Sequence, residues 1–443
     1  MTAYLLERAW LGDRFADDVL VEVEGGRFTS VTPDADPPRA VPVRGLVVPG
    51  LANTHSHAFH RALRGRTQRG RGTFWTWREQ MYAVAARLDP DTYLALARAT
   101  YREMAAAGIT SVGEFHYLHH QPDGSPYDDP NEMGDALGHA AREAGIRITL
   151  LDTLYLSSGF GAPPEGAQVR YSDGSVDAWL ERVEGLVTGL RPSSTSGSHV
   201  GAAVHSVRAV AADDLDAVAS WVGDCPFHVH LSEQVAENDA CLAAYGVTPA
   251  RLLADHGLLR PTTSLVHATH LTDEDIALIG GAGAYVSFCP TTERDLGDGI
   301  GPSRRLHEAG ARLTLGSDSH AVIDLFEEMR AVELDERLAT QQRGHWTAAE
   351  LLTAATTSGH ESLGWADAGA IAVGQRADLV VLDAVSPRTA GTGRDEQTVV
   401  FAAAAEDVRR VMADGRWIIA EGERAAIGRA LDEVIGRIWE EIT

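Results

Sequence analysis

Between residues 46 and 318, short apolar segments of strand-like composition recur eight times, and stretches with helical periodicity lie between most of them. The strand candidates are Leu46–His55, Ile109–Phe115, Ile146–Thr153, Val200–His205, Phe227–His230, Ser264–His267, Ala284–Phe288 and Leu313–Asp318. Thr92–Ala107, Asn131–Ala144 and Val176–Leu190 each gather apolar residues on one helical face. Parallel strands need a crossover between them, and a helix is the usual one. About eight such units in roughly 320 residues predict an α/β fold of the (β/α)₈ TIM-barrel class, with insertions. Pro-, Ser- and Gly-rich stretches near 161–166 and 191–198 read as loops.

The two ends have a different texture. Val19–Val31 reads as two strands joined at Gly25-Gly26, a hairpin signal. Ala377–Asp383 and Val408–Ala420, with Gly415 in a turn, are also strand-rich. A small β-sandwich domain built from residues 1–46 and 372–443 accounts for both, beside a catalytic barrel over 47–371. A chain of 443 residues has the length for both units.

All 38 basic residues are arginine. The absence of lysine removes a Walker A lysine, a Schiff-base lysine and a carbamylated lysine bridging two metals. A formal net charge of −25 argues against nucleic acid and anionic membranes as partners. An anionic substrate would need local arginines to overcome that field. Cys225, Cys241 and Cys289 make neither a disulfide framework nor a zinc knuckle. The first residues carry an acid and lack a basic region and a long apolar run, so no signal peptide is expected. No apolar run of about 18 residues occurs, so the expected location is the cytoplasm.

Active sites of such barrels lie at the C-terminal ends of the strands. The polar residues there are His55, His57, His230, His267 and Asp318. His55-Ser-His57 is an i, i+2 pair, so on an extended strand both rings face the same way. With His230 and Asp318 they offer three imidazoles and one carboxylate, a set suited to one divalent ion, Zn²⁺ foremost. An ion held there would bring the pKa of a water from about 15.7 toward about 7. Glu233 lies three residues past His230 and can reach substrate and water as a proton shuttle. His267 can bond that water or polarise the substrate, and Asp318 can both hold the ion and take a proton.

At these residues the chain resembles the amidohydrolase superfamily, in its mononuclear deaminase branch. Pro49–Phe59, Phe74–Glu79, Thr110–Tyr117, His228–Gln234, Leu265–His270 and Gly316–His320 resemble the formimidoylglutamate deiminase family. The likeness runs from about residue 45 to 375. It implies addition of water, as metal-bound hydroxide, to the formimino carbon of N-formimino-L-glutamate. Ammonia and N-formyl-L-glutamate result, a step of histidine degradation. It implies metal ligands at His55, His57, His230 and Asp318, and proton handling by Glu233, His267 and Asp318. It also implies that Arg78, Tyr117, His205 and Arg208 bind the dicarboxylate, and that the protein is a homodimer. Family members often carry Gln where this chain has His60, near the substrate. A ring N–H there either keeps the contact or alters the preference. The rival readings are a deaminase acting on a nucleobase or other amidine, a binuclear amidohydrolase and an inactive scaffold. The Arg78 and Arg208 pair, the missing lysine and the full ligand set argue against each in turn.

Overall fold

The computed structural model describes residues 1–36, 39–68, 72, 74–189 and 197–442. Most of the loop expected over 191–198, and the last residue of the helix expected to end at Leu190, lie outside them. The chain opens with four strands, β1 (Thr2–Trp10), β2 (Phe15–Glu24), β3 (Arg27–Thr32) and β4 (Val41–Pro49). Eight more follow: β5 (Leu51–Ser56), β6 (Ile109–His116), β7 (Arg147–Leu154) and β8 (Ser198–Val204), then β9 (Phe227–Leu231), β10 (Thr263–His267), β11 (Tyr285–Phe288) and β12 (Arg312–Leu315). The last three are β13 (Leu379–Leu382), β14 (Val408–Ala413) and β15 (Arg416–Ile419).

Strands β5 to β12 neighbour one another in chain order, all parallel. They close into a barrel. Ser56 and Asp318 form a parallel bridge, and the Thr54 hydroxyl donates to the Leu315 carbonyl at 2.9 Å. The expected TIM barrel is therefore present. Its strands are buried on both faces, which is why they read as apolar runs rather than alternating ones. The first long crossover helix begins at a capping residue. Asp89 accepts the Thr92 N–H at 2.8 Å ahead of Pro90–Ala106, with Pro90 in the first turn.

The strand expected over Leu46–His55 is broken at Gly50. A Cβ there would lie 2.2 Å from Thr110 Oγ1 and 2.9 Å from Asp378 Cβ. The chain turns through this gap from the terminal sheet (β4) into the barrel (β5).

The terminal sheet runs β15-β14-β13-β4-β1-β2-β3. Laid flat, β15 and β1 would be four spacings, about 19 Å, apart. Yet the Tyr4 and Trp417 ring centroids are 5.9 Å apart, and Arg27 bridges Arg376. The sheet curls around its own core, with Leu6, Val21, Phe28, Val43, Val381 and Met412 inside. The composite domain expected from both ends is thus one continuous mixed sheet whose halves face each other, as in a sandwich.

The β domain expected over 372–443 also contains a helix that the expectation did not include, Arg424–Glu440. Its buried Ile427, Leu431, Ile435 and Ile438 recur every three or four residues. It packs along Pro90–Ala106, and Trp439 Nε1 donates to the Ala62 carbonyl at 2.8 Å. Among the described residues no helix is long and apolar enough to cross a membrane. The three cysteines are free.

Barrel and sheet are tied by Arg147 at the start of β7. Its guanidinium binds Asp378, just before β13, and lies 3.1 Å from Asp414. Arg147 and Asp378 are each 1 % exposed. Arg147→Leu would leave a buried carboxylate without its cation, and should cost about 3–5 kcal/mol in urea unfolding. Adding Asp378→Leu should recover part of that loss; a double variant no more stable than Arg147→Leu would refute the pairing argument.

Candidate metal centre

His55 and His57 stand at the end of β5, His230 on β9, and Asp318 three residues past β12. Their donor atoms lie within 4.8 Å of one another, and all four side chains are buried. His55 Nε2 is 3.1 Å from His230 Nε2. Asp318 Oδ1 is 3.4 Å from His55 Nε2 and 3.3 Å from His57 Nε2. Donors about 2.1 Å from a shared zinc ion sit roughly 3.0–3.4 Å apart, so these separations fit one ion.

The backs of two of the three rings are fixed as well, while His55 Nδ1 is buried without a hydrogen bond among the described residues. His57 Nδ1–H donates to the Phe115 carbonyl at 3.0 Å, and His230 Nδ1–H to the His205 carbonyl at 2.8 Å. A carbonyl can only accept, so in both rings Nε2 keeps its lone pair for the centre. Burial pushes His55 down to about 4 and His230 well below the usual histidine range. The rings are therefore neutral, which is the ligand form. Burial works against the charge of Asp318, but the histidines around it, His55, His57 and His267, hold it well below the usual carboxylate range.

Two local devices bring β12 to β5. A Cβ on Gly316 would lie 2.7 Å from His55 Cβ and 2.9 Å from Cys289 Sγ, so any side chain there would wedge the strands apart. Past it, Asp318 takes φ 40°, a left-handed conformation rare outside glycine, as do Ser232 at 50° and His267 at 67°. Such strain gathers where the surroundings impose a geometry.

A second group, His116, His119 and Asp152, is equally compact. There the carboxylate is already taken. Asp152 accepts from Arg182 at 2.7 and 2.8 Å and from Trp179 Nε1 at 2.8 Å. A cation would face a fixed guanidinium, so this group is a structural network.

Glu233 and His267 meet beside the centre. His267 Nε2 lies 4.0 Å from Glu233 Oε1 and 3.8 Å from Asp318 Oδ2. Its Nδ1 is 3.3 Å from Glu293 Oε1. Burial opposes charge on His267, yet Glu233, Glu293 and Asp318 together push it up to about 10. Glu293 escaped the sequence reading. It sits in the helix Pro290–Leu296, just past β11, at the same barrel end as the ligands, and that placement was its only signal.

One cavity is lined by His57, His230, Glu233, His267 and Asp318 together with His60, Arg78, Tyr117, His205 and Arg208. All the residues proposed from sequence thus converge, with His55 fully buried behind them. Trp77, Tyr82, Tyr155 and Tyr171 also line it and were not foreseen. His60 Nε2 is 3.0 Å from the Tyr117 hydroxyl, and burial keeps the ring neutral. The Arg78 guanidinium lies over the Tyr82 ring, 5.3 Å from its centroid. Arg208 is half-buried and has no hydrogen-bond or ion-pair partner among the described residues.

Residues 46–418 match the model of the amidohydrolase family. The formimidoylglutamate deiminase of Pseudomonas aeruginosa is 38 % identical over 458 aligned positions, covering 99 % of this chain and all of that one. The crystal structure of an amidohydrolase from Brucella melitensis superposes with TM-score 0.91 at 34 % identity, over 99 % of this chain and 100 % of that one. An adenosine deaminase from Xanthomonas campestris, crystallised with bound zinc, shares the fold with TM-score 0.85 at 24 % identity, over 99 % and 98 % of the chains.

Metal analysis of the purified protein should find about one divalent ion per chain. His57→Ala should lose it to a chelator about 100-fold more readily. A variant that keeps its full metal content would remove His57 from the ligand set.

Proposed function

Because the chain belongs to the amidohydrolase family, we propose that it is a deiminase of N-formimino-L-glutamate, yielding N-formyl-L-glutamate and ammonia. The observation that carries the reading is Arg208. In a chain of net charge −25, a half-buried guanidinium with no hydrogen-bonded or ion-paired acid among the described residues, only the longer-range charge of buried Glu237, faces the same cavity as the metal group and Arg78. Leaving a cation unpaired in such a place is costly unless an anionic ligand completes it. Arginine suits a carboxylate, which it can hold through two parallel N–H bonds. A nucleobase would offer no such charge.

His55, His57, His230 and Asp318 would hold a single divalent ion, Zn²⁺ in our reading. When bound, such an ion supplies Lewis acidity that brings water toward ionisation at neutral pH. The rest of the chemistry falls to side chains. Water oxygen adds to the formimino carbon, the C=N bond becomes single, and the nitrogen must gain two protons before it leaves as ammonia. Both come from the water. Glu233, beside Asp318 and His267, carries them from oxygen to nitrogen. His267, held from behind by Glu293, donates from Nε2 to negative charge growing on the reacting group. Asp318 helps to take the first proton. Arg78, Arg208, Tyr117, His205 and His60 orient the dicarboxylate so that the formimino carbon faces this group.

Ammonia release from N-formimino-L-glutamate, measured beside guanine and cytosine, tests the reading. Turnover of the formimino compound alone is expected, and turnover of a nucleobase alone would sink it. Asp318→Asn should abolish activity, since a ligand and a base are lost together; a rate like the wild type would refute its role. Arg208→Met should raise KM at least about tenfold while the metal content stays that of the wild type. Loss of metal from that variant would show Arg208 to be structural instead.

A further inference from the structure

Gln168 is buried in the short 3₁₀ turn Gly166–Tyr171, behind one wall of the cavity. Its Oε1 accepts the Glu165 N–H at 3.1 Å. That bond sets which way the amide points, because a flipped amide would bring two donors together. The amide nitrogen then donates to the Tyr155 hydroxyl at 2.9 Å and to the Tyr82 hydroxyl at 3.1 Å. An amide nitrogen cannot accept, so each phenol oxygen is the acceptor and each phenol keeps its own hydrogen to give. Among the described residues neither hydrogen has an acceptor.

Both tyrosines line the cavity that holds Arg78 and Arg208. Burial raises both phenols, Tyr155 to about 12, so both remain protonated donors. Both hydroxyls lie within hydrogen-bond distance of a single nitrogen, so they are close enough for one planar carboxylate to accept from both. We infer that Tyr82 and Tyr155, aimed by Gln168, form a donor pair that binds a carboxylate of the substrate between the two arginines. The pair gives direction where the guanidiniums give charge. Two donors select for acceptor oxygens, which a carboxylate offers on both of its oxygens and an ammonium group does not offer at all. The inference rests on the dicarboxylate reading of the cavity.

The test uses Tyr82→Phe, Tyr155→Phe, the double variant and Gln168→Met in the metal-loaded enzyme. Three probes are read: turnover of N-formimino-L-glutamate, turnover of N-propylformamidine, which has no carboxylate, and calorimetric binding of glutarate. Each Phe variant should raise KM and the glutarate Kd about tenfold, the double variant about 100-fold. The loss should fall on KM rather than kcat, and activity on N-propylformamidine should suffer far less. Gln168→Met should shift KM in the same direction, through the tyrosines it positions. An unchanged KM and glutarate Kd in the double variant would overturn the inference, and so would an equal loss on N-propylformamidine. If the wild type binds glutarate through these hydroxyls but does not turn over the formimino compound, the donor pair stands and the deiminase reading falls.

Discussion

Asn53 and Ser317 exchange two hydrogen bonds across the seam where β12 closes onto β5, at 2.8 and 2.9 Å. Next to them, the backbone N–H groups of Ser317 and Asp318 both donate to the His55 carbonyl, at 3.1 and 3.0 Å. The Asn53–Ser317 bonds join residues 264 positions apart. The entropy of closing so long a loop grows only slowly with its length, so it is small beside the burial of eight strands. Closure also decides whether there is a site. His55 and His57 lie on one side of the seam and Asp318 on the other. An open barrel would keep the histidine pair and lose the carboxylate.

Arginine supplies every permanent side-chain cation in this chain, and its partners separate two kinds of use. Arg147 and Arg182 are buried and face carboxylates at short range, holding the sheet to the barrel and β7 to its helix. Their electrostatics are closed within the protein. Arg208 is more exposed than either and has no such counterpart among the described residues. Asp152 makes the same point from the acid side. It has the spacing of a metal ligand, yet Arg182 and Trp179 satisfy it, while the Asp318 carboxylate has only histidines as ion-pair partners among the described residues. Whether a polar group is already satisfied distinguishes scaffold from site better than its identity does.

That distinction also marks what was legible in the sequence. Strand and helix positions were readable because burial on both faces writes apolar runs, and burial on one face writes helical periodicity. The metal ligands were readable because barrel strands end on a common rim, so His55, His57, His230 and Asp318 needed only to be recognised at strand ends. Gly50 hid a change of sheet inside what looked like one strand, since nothing local reveals that Thr110 and Asp378 crowd it. Tyr82 and Tyr155 look like core aromatics, and Gln168 like any polar residue of a loop. Their meaning lies in an amide orientation fixed by a tertiary contact. Glu293 was hidden because its partner, His267, reaches it from another strand. The closing helix Arg424–Glu440 was legible in principle, but the hairpin before it biased the reading of the tail.

The curled terminal sheet has a consequence for how the protein is made. Strands β1 to β4 leave the ribosome first, and β4 carries Val41, Val43, Leu46, Val47 and Val48. One edge of β4 pairs with β1 at once, but the other waits for β13, from the far end of the chain. At about 5–20 residues per second, the intervening barrel takes on the order of tens of seconds to synthesise. Throughout that interval the nascent chain carries an open, valine-rich strand edge, the kind that recruits other chains. Its protection must come from a chaperone or from the growing barrel itself, and any chain ending before Leu379 would keep that edge open for good.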